Sequence, residues 1–238
     1  YSKLLKFYGI SESALAEKMK DLIESKNPTV APYANLGEVR LRITSRSETI
    51  EKAKELSIPI ENEIINRSGV KYYGSGKDSL ASVVICLLRK GQETLSLAES
   101  CSGGNLGGLI TSVPGSSDVF IGGIIAYNNS IKENFLGVPS EILKRNGAVS
   151  DEVARSMAKE TRRRFQTNWA IAISGLAGPG GGTLLKPVGL VHIAIAGPKD
   201  CFSKVQNFNP KQGREVIQKL SALNALDALR LILLRRSQ

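Results

Sequence analysis

An α/β protein built from two domains is predicted for this 238-residue chain, from three observations. From Asp78 onward, strand-length apolar runs alternate with helix-length segments. That is the pattern of a mostly parallel sheet covered on both faces, a three-layer α/β/α domain. The stretch before it is ordered differently, as helix, hairpin, helix and short strand, which fits a small α+β domain. Finally, 42% hydrophobic and 23% charged residues are ordinary for a globular chain, so general disorder is excluded. The expected domains are residues 1–75 and 76–238, joined at Gly74-Ser75-Gly76-Lys77.

In the first domain, Ser11 or Ser13 caps an expected helix that runs to Lys26, with Leu15, Met19, Leu22 and Ile23 at helical spacing. Asn27-Pro28 ends it. Thr29 to Ala34 and Glu38 to Ile43 read as a hairpin turning at Asn35-Leu36-Gly37. Two helical pieces, Glu48 to Leu56 and Pro59 to Asn66, precede a short strand over Val70 to Tyr73. In the second domain, helices are expected over Ser79–Arg89, Gly104–Ser112, Ser130–Leu136 and Ser140–Asn146. Another begins at Ser150, with Asp151 and Glu152 in its first turn and Arg162 to Arg164 in its last, as capping and the helix dipole favour. A long Leu- and Ala-rich helix from Arg214 to Arg235 comes last. Strands fall at Thr94–Glu99, Val119–Tyr127, Trp169–Ile173 and Val188–Ala196, with an edge-like strand at Ser203–Phe208.

Bulk properties narrow the function. A net charge of +10 and a pI near 9.6 point to an anionic partner, nucleotide-sized or polymeric. The basic residues are spread widely, however, which favours a solvated surface. Cys86, Cys101 and Cys201 are odd in number and far apart, so a disulfide framework and a Cys-x-x-Cys metal site are excluded and a reducing cytoplasm is expected. Cys101 fits small-residue packing better than reactivity. The single histidine, His192, lies inside an apolar strand, which suits neither a Ser–His–Asp triad nor histidine-based zinc binding. The longest uncharged run, Gln166 to Leu185, is interrupted by Gly175, Gly178, Pro179 and three further glycines, so it is not read as a membrane span. The chain opens on Tyr1 with no basic-then-apolar leader, as expected of a piece of a longer protein.

The chemistry-bearing stretch is Thr94 to Pro198. At Ala98-Glu99-Ser100-Cys101-Ser102-Gly103-Gly104 an apolar strand breaks into hydroxyl, thiol and glycine residues before a helix. Such a junction offers backbone N–H groups to a phosphate or a developing negative charge. Without a usable histidine, a hydroxyl nucleophile activated by lysine remains open, since desolvation makes lysine a base. Ser117, after Pro114-Gly115-Ser116, and Lys132, after Tyr127-Asn128-Asn129, are the candidate pair. The same residues also fit a Pro-Gly turn with a capping serine and a surface lysine.

Six motifs in order identify a resemblance. Ala98 to Gly104, Val113 to Ser117, Ala126-Tyr127-Asn128, Asn146 to Ser150, Ser174 to Gly182 and Lys186 to Gly189 resemble the C-terminal domain of the competence/damage-inducible CinA family. Tyr8 to Glu17 and Asn27 to Tyr33 resemble the family's KH-like middle domain. The resemblance implies a cytoplasmic, metal- and cofactor-independent amidohydrolase. It would convert nicotinamide mononucleotide to nicotinic acid mononucleotide and ammonia, a step of pyridine nucleotide salvage. It implies Ser117 as nucleophile, with Ser100 next in line, Lys132 as base and Tyr127 lining the site. Ser100, Ser102, Gly103, Gly104, Ser174, Gly175, Gly178 and Arg214 would bind substrate, with Arg214 suited to the phosphate.

Leu184-Leu185 stands where the family segment is normally acidic. The family's large molybdopterin-binding-like N-terminal domain is missing from this sequence, and its activity is not assigned to the chain. A homodimer is expected. The alternative is a non-catalytic nucleotide- or nucleic-acid-binding module. The first domain lacks the Gly-x-x-Gly loop by which KH domains clamp a nucleic-acid backbone, which makes this the less favoured reading.

Overall fold

The computed structural model describes residues 1–236. Spatial clustering divides the chain into two compact units, Tyr1–Val83 and a second from Val84 onward.

The first unit is a four-stranded antiparallel sheet with helices packed on it. Its elements are β1 (Ser2–Tyr8), α1 (Glu12–Lys18), α2 (Lys20–Ile23), β2 (Thr29–Asn35), β3 (Glu38–Thr44), α3 (Ile50–Ser68) and β4 (Tyr72–Ser75). The strand order is β2-β3-β1-β4. Strand β1, which the sequence reading missed, is central, pairing with β3 from Ser2↔Thr44 to Tyr8↔Glu38. It carries Leu5 and Phe7 into a core shared with Leu15, Met19, Val30, Leu41, Ile43 and Ile64. Two helical expectations also change. The Ser11–Lys26 segment breaks at Met19, where φ is −111° and ψ 15° as the side chain enters the core. The two pieces around Pro59 are one helix that runs through the proline, capped by the Thr49 hydroxyl, which accepts from the Lys52 amide. Helix propensity weighs less here than burial of the helix face that carries Ala53 and Ile64.

The second unit contains α4 (Leu80–Gly91, which begins in the first), β5 (Leu95–Glu99), α5 (Asn105–Thr111), β6 (Phe120–Ile125), α6 (Asn129–Ile131), α7 (Ser140–Asn146), α8 (Asp151–Phe165), β7 (Trp169–Gly175), β8 (Leu190–Ala196), β9 (Cys201–Asn207) and α9 (Arg214–Arg236). The sheet order is β6-β5-β7-β8-β9. Strands β6, β5 and β7 are mutually parallel, β8 is antiparallel to β7, and β9 is antiparallel to β8. Four of the five strands therefore point one way, giving the mostly parallel α/β sheet that was expected.

Side-chain size differs between the two sheet faces. Register aligns Ala98, Ala172 and Ala194 in one row, and Ser96, Ala170 and Ala196 in the next. Of these, Ala98, Ala172, Ala194 and Ala196 share a core with Val153, Ala154, Met157 and Ala158 of α8. Alternation along each strand sends Leu97, Ile171, Ile173, Ile193 and Ile195 to the other face. There α5 and α9 pack. Small residues on one side let a helix come close, while branched ones fill the space on the other.

Within α9 the Arg230 guanidinium and Asp227 carboxylate form a buried ion pair at 2.6 Å, with side chains 2% and 8% exposed. Removing Asp227 takes a carboxylate away from a buried guanidinium. Asp227→Ala is expected to destabilise the protein by more than about 1 kcal/mol, read as the loss in urea-unfolding free energy. A change below about 1 kcal/mol would mean that the pair behaves as a surface one.

Candidate functional site

Parallel strands bring their C-terminal ends to one edge of a sheet, where loops gather. Here Ser100 follows β5, Ala126 and Tyr127 follow β6, and Ser174 and Gly175 end β7. Between them lies a cavity of about 250 Å³ lined by Ser100, Cys101, Tyr127, Lys132, Ser174 and Arg214, together with the Ala148-Val149 and Gly175–Gly180 backbone. This approaches the ~300 Å³ lower end of small-molecule sites. A wider, open depression of about 870 Å³ on the first unit is lined by residues that include Lys26, Asn27, Arg46, Glu48 and Lys52. It is larger but contains no paired nucleophile and base, so chemistry favours the smaller cavity.

At the centre is Lys132, on a π-helical turn (Lys132–Leu136) that follows α6, its side chain almost wholly buried. Its Nζ lies 2.7 Å from the Ala126 carbonyl oxygen, 3.3 Å from that of Tyr127 and 3.1 Å from Ser100 Oγ. Burial removes water from the ammonium and holds the pKa down to about 8. As the ammonium, Lys132 donates to both carbonyls and to Ser100 Oγ. Once deprotonated it keeps two N–H bonds for the carbonyls and turns its lone pair to the Ser100 hydroxyl proton, an arrangement that can activate a serine.

Ser117 is not part of this arrangement. It precedes β6 whereas Tyr127 follows it, and a six-residue strand spans roughly 20 Å. Ser117 is exposed, in a turn whose Gly115 carbonyl and Asp118 carboxylate are both held by Arg89. The Ser117–Lys132 pairing expected from the sequence is therefore corrected to Ser100–Lys132.

The glycine loop also departs from expectation. Its helix end is already neutralised from within. The buried Glu99 carboxylate accepts from the amides of Gly104 and Leu106 at 3.1 Å and Gly107 at 2.7 Å. The Gly103 amide donates to the Ser100 carbonyl. Neither Gly103 nor Gly104 has its amide free for a substrate, and neither lines the cavity. Ser102 does not line it either; it is fully buried with no partner for its hydroxyl. The positive φ of Gly103 (+61°) and Gly104 (+96°) lets the chain turn tightly enough for Glu99 to reach α5.

The other expected residues converge. Arg214, opening α9, donates to the Gly178 carbonyl at 2.7 Å and to the Tyr127 hydroxyl at 2.7 Å. The Ser174 hydroxyl donates to the Ala148 carbonyl at 2.6 Å and so fixes the cavity wall. Lys186 secures the same loop by donating to the Asn146 carbonyl, while Leu184 and Leu185 are wholly exposed and stay out of the cavity. Burial raises the Cys101 thiol to about 12, so it stays protonated near neutrality. His192 lies outside the cavity, its pKa lowered chiefly by burial. Sequence reasoning missed Gln218, which donates to the Cys101 carbonyl at 2.9 Å. Its four-residue spacing from Arg214, which puts both on one face of a helix, was the available signal.

The buried lysine has a measurable cost. A group with pKa about 8 in the fold against 10.5 free keeps its proton longer unfolded, so wild-type stability rises with pH between those values. Lys132→Met is expected to stabilise the protein at pH 7 by up to about 3 kcal/mol. The gain should shrink as pH rises from 8 to 10.5, as read from paired denaturation curves. A destabilised Met variant at pH 7 would contradict the desolvation account.

Comparison with known proteins places this geometry. Residues 77–233 match the family model of the CinA C-terminal domain, and residues 2–74 that of the damage-inducible protein CinA KH domain. A CinA-like protein of Prochlorococcus marinus is 57% identical over 236 residues, covering 99% of this chain and 56% of that protein. A CinA-like protein of Trichormus variabilis is 52% identical over 99% of this chain and 57% of its own length. The chain thus spans about half the length of the curated relatives it matches. Among solved structures, the competence/damage inducible protein CihA from Agrobacterium tumefaciens is 36% identical, with TM-score 0.60, covering 67% of this chain and 94% of that one. A CinA superfamily protein from Klebsiella pneumoniae is 28% identical with TM-score 0.63, covering 66% and 96%. Among the described residues, no helix is long and apolar enough to cross a membrane. With both of its segments matched in order, the chain belongs to the CinA family of competence/damage-inducible proteins.

Proposed function

We propose that this chain hydrolyses the carboxamide of nicotinamide mononucleotide, with Ser100 as nucleophile and Lys132 as proton carrier. The observation that carries the reading is the buried contact of 3.1 Å between Lys132 Nζ and Ser100 Oγ. An amide demands three things: a strong nucleophile, a proton for the departing nitrogen, and donors for the oxyanion. Ser100 Oγ attacks the carboxamide carbon as its proton passes to the Lys132 amine. The tetrahedral oxyanion meets the amide of Cys101, a cavity-lining residue whose N–H no other described residue accepts. The Lys132 ammonium then returns the proton to the amide nitrogen. The C–N bond breaks, ammonia leaves, and an ester on Ser100 remains. Water attacks that ester with Lys132 again as base; the ester C–O bond breaks, giving the nicotinic acid nucleotide and free serine.

Arg214 supports a nucleotide rather than the free base. It lines the cavity, and its guanidinium is held by neutral acceptors, Gly178 O and Tyr127 Oη, with no carboxylate partner among the described residues. A phosphate would supply charge-assisted bonds there. Because Glu99 occupies the α5 terminus, the anion belongs at Arg214 and not in the glycine loop.

Ammonia release from nicotinamide mononucleotide tests the reading. Ser100→Ala is expected to lower kcat by roughly 10³-fold or more, while Ser117→Ala stays near wild type. The opposite ranking, or no turnover by folded wild type, would overturn it. The kcat/KM profile should rise through about pH 8 as Lys132 loses its proton. Arg214→Gln is expected to raise KM for the mononucleotide roughly tenfold or more, with little effect on the phosphate-free riboside. Equal effects on both would remove the phosphate from Arg214.

A further inference from the structure

We infer that Gln218 is a positioning residue, holding the Cys101 carbonyl so that the turn carrying Ser100 and the Cys101 amide keeps its shape beside the reacting centre. The inference rests on Ser100 being the nucleophile. Ser100 to Gly103 form a tight turn closed by the Gly103 amide on the Ser100 carbonyl. In such a turn two internal peptide units decide where the N–H groups point. The first is fixed by that closing bond. Trans peptides set C=O and N–H on opposite sides, so a held Ser100 carbonyl also holds the Cys101 N–H.

The second unit has no such local restraint. Its carbonyl, on Cys101, is held instead by Gln218 Nε2 at 2.9 Å, from a helix 117 residues further along the chain. By the same planarity, the Ser102 N–H then points away from α9. Neither the Cys101 nor the Ser102 amide has an acceptor on another described residue, although Cys101 lines the cavity. Both turn carbonyls are anchored and the Cys101 amide is left open on the cavity, which is the arrangement of a preorganised donor beside a nucleophile.

A Cβ on Gly103 would lie 3.5 Å from Gln218 Nε2, an ordinary van der Waals separation, so it is the φ of +61° that calls for glycine there. Gln218 also lies one helical turn after Arg214, which holds Tyr127 and the Gly178 loop. The first turns of α9 thereby reach three parts of the site, and Gln218 serves the one where charge develops.

The test uses two readouts on the whole chain. One is turnover of nicotinamide mononucleotide. The other is labelling of Ser100 by a fluorophosphonate probe, located by mass spectrometry. In the latter, an O–P bond forms, the P–F bond breaks, fluoride leaves and the serine proton goes to Lys132. The phosphoryl oxygen occupies the oxyanion position whatever the natural substrate is.

Gln218→Met, which keeps length but loses the donor, is expected to lower kcat and the labelling rate on the order of 10–100-fold. KM and the thermal midpoint should change little. Gln218→Lys, which can still donate to the Cys101 carbonyl, should recover most of the loss. Wild-type rates in Gln218→Met, or equal losses in the Met and Lys variants with unchanged melting, would overturn the inference. Wild type that labels at Ser100 without turning over the mononucleotide would sink the substrate reading alone, and the labelling ratios would still decide the role of Gln218. Wild type that neither labels nor turns over would overturn both.

Discussion

The carboxylate of Glu99 is the constraint on which the site is built. It ends β5 inside the protein, where an unpaired charge would be costly, and it meets three amides at the start of α5. A helix terminus that would otherwise attract an external anion is thereby satisfied internally. Two things follow. The chain must turn sharply between strand and helix, which places Ser100 to Gly103 in a tight loop at the sheet edge. The amide left open on the cavity is then that of Cys101, inside the turn, rather than those of the helix. The loop looks like a phosphate cradle in sequence and has the form of a nucleophile turn in structure.

Lys132 supplies the complementary half. A buried amine is unfavourable as a cation, and the fold accepts that cost by giving it two carbonyls and a hydroxyl. The π-helical turn is part of this solution: it widens the helix where Lys132 leaves it, and such turns recur at functional positions. Stability and reactivity are in opposition at one atom, as is usual for residues whose pKa is shifted for chemistry.

Much of this was legible in the sequence. The alternation of strand and helix from Asp78 onward, the Ser150 cap and the Arg214 helix all appear where periodicity placed them. Tyr127, Lys132, Ser174 and Arg214 gather as the motifs implied. Ser117 misled because local chemistry, a serine in a Pro-Gly turn, says nothing about which end of a strand it occupies. Only the parallel pairing of β5 and β6 decides that Ser100 and Tyr127 share an edge and Ser117 does not. Strand β1 was missed because its evidence is non-local: its place between β3 and β4 comes from partners distant in the chain, Glu38 for Tyr8 and Ser75 for Leu5. Gln218 escaped because its partner is a backbone carbonyl, which no residue type announces.

The alanines beneath α8 have a consequence beyond packing. They set how far that helix stands from the sheet, and α8 is capped by Ser150, the residue after the Ala148-Val149 pair that lines the cavity. A methyl group added to Ala172 or Ala194 would lift the helix and carry that wall outward, since close-packed layers transmit displacement rather than absorb it. The breadth of ligands the cavity admits is thus governed partly from underneath. Directed evolution toward bulkier amides would draw some of its useful substitutions from the hidden floor of the protein, out of reach of any ligand.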